Sequence, residues 1–290
     1  MLMPTTTPRI IHETSGLLFI DKPPGLSFHR SEEEDDPGLL PILRAMQAAG
    51  DIEHEGKLFS VHRLDRVTSG LLMIAKTADA AREVADVLRR REIDKYYVAL
   101  SSRKPNKKQG RVSGDMARSR RGQWKLLRST EQPAQTAFIS KPLVFDAEEE
   151  EGDEAARYPP RAFLLKPLTG KTHQLRVALK ALSSPVLGDP MYAAADDSRN
   201  EERAYLHAAA LRLPAGCTAL SEDGAPIDVV LRPSVGARFH TAAFDRQWRS
   251  WFDDKPISMT ASSGVSVWFA GTPVASRMGM PHERSAPPAK

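Results

Sequence analysis

Cysteine is almost absent from this sequence, since Cys217 is the only one among 290 residues. One thiol cannot close a disulfide within the chain, and it cannot supply a four-thiolate zinc or iron–sulfur site. Secreted proteins commonly depend on disulfides, so we expect an intracellular and most simply a cytoplasmic protein. We interpret Cys217 as an inert thiol at a strand end, because LRLPAGCTAL offers no base to activate it.

Long apolar runs and familiar cofactor motifs are missing as well. No stretch approaches the roughly 18 apolar residues that a membrane span needs, and the first ten residues lack the pattern of a secretory signal. The phosphate-binding motifs G-x-x-x-x-G-K-[ST] and G-x-G-x-x-G do not occur. His62, His173 and His207 could meet near Asp65, but no pair of histidines has metal-ligand spacing. We therefore predict no membrane contact, no cofactor and no metal.

Charge of one sign is not in large excess, but it is unevenly distributed. The formal net charge is +4, and the runs EEEDD at 32–36 and DAEEEEGDE at 146–154 are expected to be solvated acidic loops. Between them, residues 103–128 contain ten Lys or Arg and one acid, Asp115. Glycines and Pro105 exclude one long helix here. A basic loop or hairpin around Trp124 is therefore expected, which is typical of nucleic-acid contact; a merely solvated surface is the alternative.

The apolar pattern predicts intermixed strands and helices. Strands are expected at 16–20, 70–75, 96–100, 137–140 and 161–167, and helices at 37–49, from Thr77 to Arg91, and from about 169 to 181. This mixture favours an α+β fold with a mixed, largely antiparallel central sheet flanked by helices and loops. A doubly wound parallel sheet is the alternative. Ser, Pro, Gly and Ala dominate from about residue 255, so we expect a folded domain at 9–254 and a disordered tail at 255–290.

The segment VHRLDRVTSGLLMIAKT, residues 61–77, contains the first candidate site residue. Asp65 lies in a polar loop that enters an apolar strand, with Arg63 and Arg66 beside it. Neighbouring arginines favour the ionised form of a carboxylate even when it is partly desolvated, and such a carboxylate is a competent nucleophile. A structural Asp–Arg ion pair is the alternative.

Two further segments concentrate reactive side chains. In KYYVAL, residues 95–100, side chains alternate between the faces of a strand, so Tyr97 can line a cleft while Tyr96 packs elsewhere. A tyrosine ring can stack on a base, and its hydroxyl can transfer a proton. In residues 168–192, a helix beginning near Thr172 would place Arg176 near its start with Lys171 close by, suited to a carboxylate or a phosphate. Ordinary strand aromatics and a solvated basic helix are the respective alternatives.

Together and in this order, these segments resemble the RluA-type family of RNA pseudouridine synthases over about residues 9–235. The matching stretches are HRLD-x-x-TSG at 62–70, K-x-Y-x-A at 95–99, GKTHQLR at 170–176, G-D-x-x-Y at 188–192, DKPPGL at 21–26 and LHA at 206–208. The chain departs from the family pattern at Lys171, Ala178 and Ser183-Ser184, none of which changes Asp65. Many members carry an S4-like domain before the catalytic one, and we expect none here.

The resemblance implies a monomeric enzyme that isomerises uridines in ribosomal or transfer RNA without a cofactor. Asp65 would attack either the ribose or the uracil ring, Tyr97 would stack on the base and remove its C5 proton, and Arg176 would pair with Asp65. The resemblance also implies substrate contacts by Arg63, His62, Thr68, Lys171, His173 and Leu206. RNA phosphates would be bound by Lys107, Lys108, Arg120 and Arg121. A catalytically silent RNA-binding protein and a metal-dependent hydrolase using Asp65 are the competing hypotheses.

Overall fold

The computed structural model describes residues 7–28, 36–145 and 160–253. The strands are β1 Arg9–Glu13, β2 Leu17–Lys22, β3 Phe59–Ser60, β4 Ser69–Ala75, β5 Asp94–Ser101, β6 Gln109–Gly114, β7 Met116–Arg118, β8 Trp124–Leu126, β9 Ala134–Pro142, β10 Arg161–Pro167, β11 Leu206–Leu213 and β12 Ile227–Val230. The helices are α1 Leu39–Ala49, α2 Ala78–Arg89, α3 Gln174–Ala181, α4 Ala195–Arg199 and α5 Ala242–Phe252. Short 3-10 turns occupy Arg120–Gly122 and Ala237–His240. No described helix is long and apolar enough to cross a membrane.

One large mixed sheet organises these elements. Its strand order is β1-β2-β4-β11-β5-β10-β9-β6, with β12 paired to β11 and β3 to β4. The β4–β11 pair is parallel, whereas the other described pairs of this sheet are antiparallel. The predicted α+β class with a largely antiparallel sheet is therefore confirmed, and the doubly wound alternative is wrong.

The central strand β5 separates two apolar clusters. Tyr97 and Ala99 belong to the cluster that also includes residues of α1, α2 and α3. Tyr96 and Val98 belong to the cluster that includes the aromatic residues of α5. The predicted alternation along KYYVAL is confirmed, and it places Tyr97 on the same side of the sheet as the buried face of α3.

Helix α2 begins as predicted, but α3 does not. The Thr77 hydroxyl accepts the Ala80 N–H at 3.1 Å, which caps α2. The helix predicted from about 169, or from Thr172, begins only at Gln174. The Gln174 side-chain oxygen accepts the Lys171 N–H at 3.0 Å and the Thr169 hydroxyl at 2.7 Å. These bonds satisfy groups of the preceding turn, so residues 169–173 form a loop that faces the site.

The charged segments are only partly as expected. The predicted basic hairpin is confirmed, because β7 and β8 pair antiparallel around Arg120–Gly122. The acidic run at 32–36 was expected to be solvated, yet Asp36 is buried. Its carboxylate accepts the N–H groups of Ser27 at 2.7 Å and Gly38 at 2.9 Å. Two backbone donors compensate its desolvation, which is why an acidic residue is buried here. Residues 32–35, the run at 146–154 and the expected tail at 255–290 lie outside the described residues.

The lone cysteine lies in the turn after a strand, and not at the strand end as the sequence predicts. Strand β11 ends at Leu213, and Cys217 is a free, buried thiol in the turn that follows. Burial, followed by the charge of Glu83, raises the pKa of this thiol. A raised pKa lowers the thiolate fraction at neutral pH, which supports the prediction that Cys217 is unreactive.

Candidate active site

The predicted site residues converge on one cavity of about 320 Å³. The loop before β4, the start of β5, the turn between β10 and α3, and the start of β11 form its walls. The predicted residues that line it are His62, Arg63, Asp65, Thr68, Tyr97, Lys171, His173 and Leu206. A volume of this size is in the range of small-molecule sites in proteins. The walls are distant in sequence, so the cavity exists only through the sheet topology.

Arg176 lies behind this wall and holds Asp65. Its Nη1 donates to the Asp65 carboxylate at 3.3 Å, and this predicted pair is present. Its Nε and Nη2 donate to the two oxygens of Asp189 at 2.7 and 2.8 Å. The side chain of Asp189 is fully buried, whereas that of Asp65 is 23% exposed. Asp189 therefore fixes the guanidinium, and the guanidinium orients the one carboxylate that solvent and substrate can reach.

Sequence reasoning missed the role of Asp189. The residue was recognised in the G-D-x-x-Y match, but only as part of a turn. Burial disfavours the charge of Arg176, yet the hydrogen bonds and charge of Asp189, followed by those of Asp65, outweigh it and raise the pKa of Arg176. The sequence does not show that the buried Arg176 pairs with Asp189, 13 residues later.

Short-range contacts shape the loop that presents Asp65. The Thr68 N–H donates to the Asp65 carbonyl at 3.0 Å and closes a tight turn. The Met73 N–H donates to Nε2 of His62 at 3.0 Å, which ties the start of the loop to β4. Burial lowers the pKa of His62 to about 3, so the ring is neutral and suited to accept this bond.

Gly70 has a φ of +104°, and a Cβ there would lie 2.3 Å from the Ala208 carbonyl oxygen. Only glycine fits where β4 meets β11.

Tyr97 contributes a buried ring and a protonated hydroxyl. Its side chain is 9% exposed and lines the cavity from β5. Burial, followed by the negative charge of Asp65, raises the pKa of Tyr97 above its ordinary value. The hydroxyl is therefore protonated at neutral pH. It can accept another proton only if it gives up its own.

Tyr192 links the basic hairpin to the site. Its hydroxyl accepts the Trp124 N–H at 2.8 Å and is hydrogen-bonded to Nδ1 of His173 at 2.8 Å. Its ring lies 4.9 Å from the Arg176 guanidinium, a distance at which cation–π attraction operates. Gln123 also donates to the Met191 carbonyl at 2.7 Å. Hairpin, cavity wall and the arginine behind Asp65 therefore share one network.

The predicted phosphate-binding residues form two separate groups. Arg120 and Arg121 are exposed at the hairpin turn, next to Gln123. Lys107 and Lys108 are exposed before β6, where the neighbouring Asn106 N–H donates to the carbonyl of Leu182. In the chain, β6 and β7 lie between the two groups.

The histidines that could have formed a metal site are engaged elsewhere. His207 is buried, with Nδ1 at 2.8 Å from the Ser69 hydroxyl and Nε2 at 2.9 Å from the Leu231 carbonyl. His173 contacts Tyr192 and His62 contacts Met73, as described above. Within the described residues, no group of three or more His, Cys, Asp or Glu could hold a metal ion.

Comparison with known proteins gives this geometry a context. A family model described as RNA pseudouridylate synthase matches residues 16–181. An uncharacterized RNA pseudouridine synthase of Haemophilus influenzae is 41% identical over 204 residues, which are 70% of this chain and 80% of the relative. The dual-specificity RNA pseudouridine synthase RluA of Escherichia coli K12 is 34% identical over 208 residues, 70% of this chain and 85% of the relative.

Solved structures show the same fold. Human RNA pseudouridylate synthase domain containing 4 superposes with a TM-score of 0.57 at 26% identity, over 79% of this chain and 90% of that chain. Human RNA pseudouridylate synthase domain containing 1 gives a TM-score of 0.59 at 24% identity, over 80% and 85%. The family match covers more than half of the sequence, and relatives above 30% identity cover more than two thirds of it. The chain belongs to the RluA-type family of RNA pseudouridine synthases.

Proposed function

We propose that this RNA pseudouridine synthase acts on uridines of ribosomal or transfer RNA through Asp65. One observation carries the assignment of the nucleophile. The Asp65 carboxylate is held by Arg176 and lines a cavity of about 320 Å³, whose wall also includes Tyr97. The E. coli relative is a dual-specificity enzyme by name. That name supports more than one kind of structured RNA as substrate.

The reaction is an isomerisation within one nucleotide, so its atoms balance without a co-reactant. The target uridine leaves its stack to enter the cavity, at a cost of a few kcal/mol. Asp65 attacks the ribose or the uracil ring, and the bond between N1 and C1′ breaks. The uracil turns, C5 bonds to C1′, the bond between Asp65 and the substrate breaks, the proton on C5 leaves, and N1 gains a proton.

The other lining residues position this nucleotide. Tyr97 stacks on the uracil and takes part in the transfer of the C5 proton. Arg63, whose Nη2 lies 3.4 Å from the Thr172 hydroxyl, contacts the strand from which the uridine has flipped. Further contacts to the nucleotide come from His62, Thr68, Lys171, His173 and Leu206.

The remaining proposals concern the whole protein. The catalytic domain spans residues 9–254 and works as a cytoplasmic monomer. RNA phosphates bind the exposed pairs Arg120–Arg121 and Lys107–Lys108, so affinity falls as salt rises. Transcriptome-wide mapping of pseudouridine with and without the gene identifies the RNA and the uridine.

Replacing the nucleophile tests the assignment. We expect Asp65→Asn to abolish tritium release from RNA labelled at uracil C5, while RNA binding stays within a few-fold. Asp79→Asn is the matched control, since Asp79 is exposed on α2 and its partner is Arg82. A variant at position 65 that still isomerises uridine contradicts the role of Asp65.

Two other outcomes favour the competing hypotheses. Release of free uracil, or inhibition by a chelator, favours the metal-dependent hydrolase. Full function of Asp65→Ala in cells favours a silent RNA-binding protein.

A further inference from the structure

A second cleft adjoins the candidate active site. Its volume is about 620 Å³, roughly twice that of the first cavity. The two cavities share wall residues, among them His62, Lys95 and Lys171. The second cleft extends from this shared wall to the turn that joins α2 to β5. An RNA whose target nucleotide enters the first cavity therefore has its neighbouring nucleotides close to the second.

Six cations line the second cleft. They come from α2 and the turn after it, from β5, β6 and β10, and from the turn before α3, namely Arg89, Arg91, Lys95, Arg111, Lys166 and Lys171. Asp94 is the carboxylate in the described wall, and it is already paired with Lys166 at 2.7 Å. The charge that faces the cleft is thus strongly positive.

Several of these cations, Arg91 and Lys95 among them, lack a protein partner within the described residues. The side chains of Arg91 and Lys95 make no hydrogen bond or ion pair there. Arg91 has a left-handed backbone, with a φ of 60°. Lys95 is half-buried at the wall that both cavities share, and burial lowers its pKa. A desolvated ammonium without a carboxylate is stabilised by any anion that lies beside it.

Arg89, on α2, differs from Arg91 and Lys95 because it has a protein partner. Arg89 forms an ion pair with Asp86 at 2.9 Å, in which both side chains are largely exposed. Such a pair contributes little stability and exchanges readily for another anion. Arg89 can therefore turn toward a phosphate at the edge of the cleft at small cost.

We propose that this cleft binds the phosphate backbone of the nucleotides next to the target uridine. The inference rests on the proposed function and adds residues to it. Phosphates in single-stranded segments recur at regular spacing and match several cations along one path, and contacts to them position an RNA without reading its sequence. The cleft therefore adds a second group of cations to those of the basic hairpin, and both groups can hold the RNA next to the flipped nucleotide.

The test compares two double variants. Arg89→Gln with Arg91→Gln removes charge at the cleft, and Arg44→Gln with Arg82→Gln removes the same charge from exposed positions of α1 and α2 outside it. The probe is a fluorescein-labelled oligouridylate of about ten nucleotides, followed by anisotropy over a range of salt. Each lost phosphate contact lowers the salt slope by about 0.7. We expect a slope smaller by about 1.4 for the cleft variant and an unchanged slope for the control.

A kinetic measurement separates this inference from the proposed function. With RNA labelled with tritium at uracil C5, from a strain that lacks the gene, we expect the cleft variant to raise the apparent KM about tenfold with kcat within twofold, as for binding that is equal in ground and transition states. Equal salt slopes and KM for the cleft variant and the wild type, with an active wild type, overturn the cleft alone. A wild type that releases no tritium overturns the proposed function instead.

Discussion

Arg176 shows how single residues acquire their roles from burial. Two of its bonds go to Asp189, which is fully buried, and one goes to Asp65, which faces the cavity. A lysine would lose this forked geometry, because an ammonium cannot bind a carboxylate through two parallel N–H groups in one plane. The motif residues were recognisable from the sequence, but the division of labour between the two aspartates was not.

Tyr97 provides a test of proton transfer at the residue scale. Tyr97→Phe keeps the aromatic ring, which we propose stacks on the base, and removes the hydroxyl. If the hydroxyl handles the C5 proton, we expect kcat to fall 10²- to 10⁴-fold, the usual contribution of general acid–base catalysis. Single-turnover tritium release measures the rate, and anisotropy with labelled RNA checks that binding is retained. A kcat within threefold of the wild type restricts Tyr97 to stacking.

Lys22 provides a test of pH dependence. Its buried ammonium donates to the carbonyls of Pro23, Leu26 and Arg66 at 2.8, 2.9 and 3.2 Å, which ties the turn after β2 to the Asp65 loop. Burial, followed by the charge of Arg203, lowers the pKa of Lys22 from 10.5 to about 7. Between these values the unfolded chain binds the extra proton, so this residue makes stability rise with pH from about 7 to 10.5.

The corresponding experiment uses Lys22→Met. One such group contributes at most about 1.4 kcal/mol of unfolding free energy per pH unit. We expect urea denaturation between pH 7.5 and 9.5 to show a slope about 1 kcal/mol per pH unit smaller for the variant than for the wild type. The exposed Lys125→Met serves as the control, and its slope is expected to match the wild type. Identical slopes for all three proteins would contradict the assignment.

At the scale of elements, the β7–β8 hairpin carries the basic residues but does not stand alone. The Tyr192 hydroxyl accepts the N–H of Trp124, which lies next to the hairpin turn, and the Gln123 side chain donates to the Met191 carbonyl. These contacts fix the hairpin against the turn that also holds Asp189. The hairpin is therefore attached, through Tyr192, to the arginine that holds Asp65.

The separation of the basic residues into two groups gives a prediction. We expect Arg120→Gln with Arg121→Gln to weaken RNA binding and to reduce the salt slope by about 1.4. Lys107→Gln with Lys108→Gln, at the far end of β6, should have a smaller effect. The combined variant should be additive, because the pairs are well separated. Anisotropy over a salt series measures all three proteins, and an unchanged slope for the hairpin pair would make it a merely solvated surface.

At the scale of the whole molecule, the sheet has an apolar cluster on each face. The cluster that includes Tyr97 lies beneath the candidate site, and the opposite cluster is closed by α5 through Phe244, Trp248 and Trp251. Helix α5 is therefore part of the folded core, and the boundary near residue 254 stays a prediction.

Truncation tests this boundary. A chain that ends at residue 254 should unfold within about 3 °C of the full chain, which corresponds to about 1 kcal/mol for a protein of this size. A chain that ends at residue 241 should lose cooperative unfolding, because it removes the buried aromatic residues of α5. Circular dichroism during heating compares both with the full chain. A loss of more than about 8 °C on removal of residues 255–290 would place the boundary later.

The sequence by itself determined the fold class, the strands, the separation of Tyr96 from Tyr97 and the set of reactive residues. Those features follow from local periodicity and from motifs whose residues are close in the chain. Only the tertiary structure decided that Asp189 holds Arg176, that Gln174 prevents an earlier start of α3, that Asp36 is buried, and that a second basic cleft adjoins the first cavity. Most of these depend on elements brought together by the fold, since the Gln174 amide also binds Gln135 and Thr136 of β9 and the cleft walls come from separate elements. Pairing of buried charges and the shape of a cleft are set by that arrangement, which no local pattern encodes.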